Sequence, residues 1–161
     1  MLIRGALVLS LAVTTAVVVG APAQAADRLQ VTGGAHDFTG ANVSISAMAL
    51  ANGTYPSGHV NATLPNPRNP DGGTLQFRLE VTCLAVSGNL ASIGAVATEA
   101  TANDVPVGFP FVITVKDSGN ASGAGDGLDV FPGTPASACP SSLPLAAASP
   151  TITHGNLHVR S

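Results

Sequence analysis

Asp117, Asn120, Asp126 and Asp129 bring four oxygen-bearing side chains into one glycine-rich stretch of this chain. Side chains of that type suit a hard cation, because Ca²⁺ is held by about six to eight oxygen ligands. The spacing departs from the twelve-residue calcium loop, since Gly119 and Ala121 stand where two further ligands belong. The competing reading is a solvated turn, in which Asp and Asn side chains accept hydrogen bonds from their own backbone. Calcium is the one cofactor these residues suggest.

The other chemistry-bearing residues are dispersed. His154 and His158 are four apart, a spacing that presents two imidazoles to one metal on a helix. Gly155-Asn156 lies between them, so a turn followed by a strand is expected instead, and His36 and His59 show no convergence with them. No serine sits in a G-x-S-x-G elbow. Glu80 and Glu99 could be paired as acid and base only by taking Glu80 off the polar face of an ordinary strand. No catalytic residue is assigned, and the chain is read as a non-enzyme. With no Trp and Tyr55 as its single tyrosine, it has little from which to build a sugar-stacking platform. Asn42, Asn52, Asn61 and Asn120 match N-x-[ST], which matters only in a glycosylating host.

Cys83 and Cys139 are the only cysteines. The start of the chain gives their context. Arg4 precedes an apolar run from Leu7 to Val19, and Ala23-Gln24-Ala25 forms an A-x-A cleavage site. That order is a secretory signal peptide, too short for a convincing membrane span. The expected organisation is a signal peptide over 1–25 and one secreted β-domain over 26–161. An even cysteine count in an oxidising compartment predicts one Cys83–Cys139 disulfide. Closing that loop restricts the unfolded chain by about 4 kcal/mol on the chain-entropy model.

Removal of Arg4 with the leader leaves five Lys and Arg against nine Asp and Glu, a formal charge of −4. A mildly acidic chain without basic runs argues against nucleic acid and anionic membranes as partners. A protein or another cell-surface component is the expected partner. Charged residues make up 9% of the chain and hydrophobic residues 45%, the reverse of a disordered composition.

The elements that must position these residues read as short strands. Alternation marks Leu29–Thr32, ended by Gly33-Gly34, then Asn42–Leu50, with Val43, Ile45, Ala47 and Ala49 on one face. His59–Leu64 follows as a hairpin partner, and Pro65–Gly73 is a proline-rich loop. The longest run places Leu75, Phe77, Leu79, Val81 and Cys83 on one side. Its alternation slips at Cys83-Leu84, which predicts either a β-bulge, the favoured reading, or a strand end buried on both faces. Ser87-Gly88-Asn89 turns the chain into a return strand lined by Ala91, Ile93, Ala95 and Ala97. Thr98–Gly108 is a polar connector; Phe109–Lys116, Leu128–Phe131 and Leu157–Val159 are further strands, and Pro132–Pro150 is extended. No segment shows a 3.6-residue period. The fold class is all-β, an antiparallel sandwich or small barrel of about 7–8 strands.

The motif Val81-x-Cys83-Leu84-x-Val86-x-Gly88-Asn89-x-Ala91-x-Ile93-Gly94 is followed by Val115-x-Asp117-x-Gly119, Asp126, Cys139 and His154-Gly155-Asn156-Leu157-x-Val159. Together they resemble a family of small secreted β-proteins of high-GC Gram-positive bacteria, hypothetical exported proteins, over most of the chain from about Asp37. Members often carry a second Gly where this chain has Ala95. The resemblance implies export and a β fold, and it implies no activity. The expected role is a non-enzymatic exported structural or interaction module. The alternatives are a barrel that binds a small ligand, or a calcium-stabilised binding module.

Overall fold

The computed structural model describes residues 27–36, 40–66, 73–101, 105–135, 139 and 152–161, so the expected signal peptide lies outside the described residues. Among the described residues eight strands follow one another: β1 Arg28–His36, β2 Asn42–Leu50, β3 Ser57–Pro65, β4 Thr74–Ser87, β5 Leu90–Ala100, β6 Pro110–Lys116, β7 Gly127–Pro132 and β8 His154–Arg160. No helix occurs among the described residues, and hence none long and apolar enough to cross a membrane. All strands join one antiparallel sheet in the order β7-β6-β5-β4-β3-β2-β1-β8. Each strand from β1 to β6 pairs with its successor. The last strand returns to lie beside the first.

Period two decides what each strand buries. Val31 on β1, Val43, Ile45 and Ala47 on β2, Val60 on β3, Phe77 and Leu79 on β4, Ile93 on β5, Ile113 and Val115 on β6, Leu128 on β7 and Leu157 on β8 belong to one buried cluster. A flat sheet could not bring all eight strands into one core; this sheet curls on itself, as twisted strands do, into a half-barrel. The inner face is filled with branched aliphatic side chains, and Phe111 packs between Phe77 and Phe109, with ring centres 5.8 and 5.4 Å away. The polar residues of the same strands point outward.

The turn of the central hairpin is two residues long, with Ser87 paired to Leu90. Gly88 takes φ 61° while Asn89 keeps a negative φ, the pattern of a type II′ turn, whose twist matches that of the flanking strands. The expected slip at Cys83 is real. The register shifts between Val81/Ala95 and Cys83/Gly94, so Thr82 is the extra residue of a bulge. Its consequence differs from the expectation that Cys83 continues the row of Phe77, Leu79 and Val81. The bulge returns Leu84 to the core and turns Cys83 to the outer face, where it bonds to Cys139 with Cα atoms 5.6 Å apart. A second shift, at Thr98 between Arg78/Glu99 and Leu79/Ala97, lies inside the expected connector; its hydroxyl donates to the Arg78 carbonyl. β1 also runs past its expected end, because Gly33 and Gly34 pair with β2 on one side and β8 on the other.

Candidate functional site

β7 and β8 are the two free edges of the sheet, and the 117–126 loop between β6 and β7 spans the gap between them. An unpaired edge exposes backbone N–H groups that invite another strand. Here aspartates occupy several of those donors. The Leu157 N–H of β8 donates to Asp126 Oδ2 at 2.9 Å, and the Val159 N–H to Asp117 Oδ2 at 3.0 Å. Residues two apart on a strand aim their N–H groups in the same direction, so both carboxylates lie along the outer edge of β8. On the other edge, the Val130 N–H of β7 donates to the carboxylate of Asp129, its own neighbour, at 2.8 Å.

Asp126 is the centre of this clasp and is completely buried. Its Oδ1 accepts from the Ser118 N–H at 2.8 Å and the Ser118 hydroxyl at 2.7 Å, while Oδ2 reaches β8. Its main-chain carbonyl accepts from the Ile152 N–H at 3.1 Å. Asp117 divides its oxygens in the same way, with Oδ1 accepting from the Gly119 N–H at 2.7 Å and Oδ2 from Val159. Asn156 of β8 donates back to the Ala121 carbonyl at 3.1 Å. Gly123 takes φ 72° with its α-carbon facing the Gly155 carbonyl so closely that a Cβ would collide with it. The loop folds this way because Asp, Asn and Ser oxygens close its small turns, and glycine lets its backbone reach β8.

The four residues expected to gather around a cation are thus given separate tasks. Asp117 and Asp126 hold β8, Asp129 caps Val130, and Asn120 turns its oxygen to the Ser122 N–H and hydroxyl. Among the described residues no group of three His, Cys, Asp or Glu is placed to hold a metal ion.

The outward face carries the remaining polar chemistry. Register sets His59 beside Glu80, Asn61 beside Arg78, and Arg78 beside Glu99. Each of the two glutamates therefore has a basic residue as a cross-strand neighbour. The side chains His59, Arg78, Glu80 and Glu99 line an open concavity of about 570 Å³. Ser92 and Thr114 are register partners on the outer face of β5 and β6, buried, and their hydroxyls have no hydrogen-bond partner among the described residues. The Cys139 sulfur lies 3.5 Å from the Ser92 carbonyl. His36 and His154 meet as direct partners of β1 and β8, which their separation in sequence concealed.

Fold and site together define an all-β, single-sheet half-barrel, stapled by one disulfide and closed along its seam by aspartate side chains. Comparison with protein-family models, with curated proteins and with solved structures finds no match.

Proposed function

We propose that this chain is an exported, non-enzymatic module that works through its outer surface, as a structural or recognition element at or beyond the cell surface. The observation that carries the reading is the single apolar core drawn from all eight strands. Inner-face side chains buried together in one cluster favour this reading over a small apolar guest, for which ligand-binding barrels keep a cavity. Recognition then falls to the outward rows, where His59, Asn61, Arg78, Glu80 and Glu99 present mixed charge suited to a polar protein or cell-wall surface. The disulfide supports export, because such bonds persist in oxidising compartments. The A-x-A site after the apolar leader supports it from the sequence side.

The test is the protein recovered from the medium of an expressing bacterium without detergent. Its N-terminus, co-purifying small molecules and titration with an apolar fluorescent dye are then measured. The expected result is a chain beginning at Ala26, no bound apolar compound and no saturable dye binding. A stoichiometric apolar ligand would overturn this reading in favour of the ligand-binding barrel. Retention of the protein in the cytoplasm with its leader intact would overturn export.

A further inference from the structure

We propose that His36 and His154 form a two-imidazole site for a divalent transition-metal ion, with Cu²⁺ the preferred occupant. The two residues are direct register partners at the end of the β1–β8 ladder. Both side chains stand on the outer face, since Ala35 and Leu157 point to the core. Cross-strand partners hold their Cβ atoms about 4.5–5.5 Å apart, and here the ring centres lie 6.2 Å apart with the ring planes at 80°. Two imidazoles bound to one ion at about 2.0–2.1 Å have ring centres roughly 4.5–6.4 Å apart, depending on the angle at the metal. The observed spacing falls inside that range, so small side-chain rotations suffice to bring one nitrogen of each ring to a shared ion.

The backbone beneath the pair is fixed independently of the rings. The Thr153 N–H and hydroxyl both donate to the His36 carbonyl, at 2.7 and 2.8 Å, locking the residue before His154 onto β1. The same two histidines line an open concavity of about 580 Å³ whose other polar side chains are Asn42, Ser44, Asn61, Thr63 and Asn156. That lining contains no carboxylate and no Lys or Arg. The imidazoles are its strong donors, and water or amide and hydroxyl oxygens complete the coordination. Imidazole sites suit Cu, Zn and Ni, and for a given set of such ligands Cu²⁺ binds most tightly of the divalent series. The nitrogen-poor Asp117–Asp129 loop has the opposite preference.

This site is independent of the role proposed above. Its test is titration of the oxidised, leader-free protein with CuSO₄ alone, followed by calorimetry and by electron paramagnetic resonance. The expected result is one ion per chain, hyperfine structure from two imidazole nitrogens, and a higher melting temperature, because an ion that binds only the folded state stabilises it. His154→Gln, at an exposed position, and His36→Gln should each weaken binding at least about tenfold, the lower bound seen for losing even a group that supports a ligand. His59→Gln and His158→Gln should leave it unchanged. Circular dichroism of the metal-free variants separates lost binding from lost folding. Absence of stoichiometric binding would overturn the proposal. So would binding that survives in both well-folded His36 and His154 variants, which would place the ion elsewhere, for example at the chain's amino terminus.

Discussion

Replacing Asp126 by Asn changes almost no volume, yet it removes one acceptor from a site built entirely of donors. The parent carboxylate accepts three hydrogen bonds, two from Ser118 and one from Leu157, at 2.7–2.9 Å. An asparagine can turn its oxygen toward only one side. If it faces Ser118, its NH₂ group confronts the Leu157 N–H, and a buried backbone donor loses its partner at a cost of about 1–3 kcal/mol. The surviving bonds fall from the charged class, about 1.5–3 kcal/mol each, toward the neutral class, about 0.5–1.5 kcal/mol each. Asp126→Asn should therefore destabilise the fold by about 2–5 kcal/mol, a large part of the 5–15 kcal/mol typical of a domain. Urea unfolding of the oxidised protein measures this as a lower midpoint at unchanged slope, which separates a stability change from an altered unfolded state. Hydrogen exchange should show lost protection at Leu157 before any loss at β4 or β5. Asp129→Asn, whose side chain accepts from the neighbouring Val130 N–H at an edge and keeps an acceptor oxygen for it, should cost no more than about 1 kcal/mol. A midpoint for Asp126→Asn that reports less than about 0.5 kcal/mol, the level of a neutral surface change, would refute the reasoning.

Other expectations follow from the same structure. The Cys83→Ser/Cys139→Ser double variant should lose about 2–5 kcal/mol in the same urea experiment, as native disulfides of small secreted domains do. Gly123→Ala should cost more than about 2 kcal/mol in thermal or urea unfolding, since it combines left-handed backbone strain of about 1–2 kcal/mol with a Cβ driven into the Gly155 carbonyl. Ile113→Ala, at a position with no exposed surface, should cost about 2–5 kcal/mol. Val107→Ala, 77% exposed, should stay within about 0.5 kcal/mol in the same assay.

Strand content was legible because alternation is a local property. Val43 to Ala49 and Ala91 to Ala97 reveal their inner faces in any window of a few residues, and these faces are the ones buried. The slip at Cys83-Leu84 could be read as a bulge for the same reason. Which side Cys83 took could not, because it depended on Thr82 being the extra residue. Gly33 and Gly34 resembled a terminator, since glycine weakens a strand considered alone. With β2 on one side and β8 on the other, both glycines remain in the ladder.

The site was harder to read than the fold because its partners are distant or carry no sequence signature. Asp126 and Asp117 bond to backbone donors 31 and 42 residues away, and an N–H group is the same in every residue but proline. A cluster of carboxylates without visible cations suggests a metal; in the structure Asp126 and Asp117 accept from the edge of a strand that arrives much later in the chain. His36 and His154 were separated by the whole of the sheet's meander. Only the return of β8 to β1 brings them together. Neither pairing has a local cause.

The most direct measurement of the clasp is a through-hydrogen-bond scalar coupling, by NMR on isotopically labelled oxidised protein, between the Leu157 amide nitrogen and the Asp126 carboxylate carbon. This coupling should be present, together with strong exchange protection at Leu157, and neither should change when CaCl₂ is added. Absence of the coupling, with Asp117 and Asp126 carboxylate resonances moving saturably on calcium addition, would contradict it and return this loop to the role of a cation site.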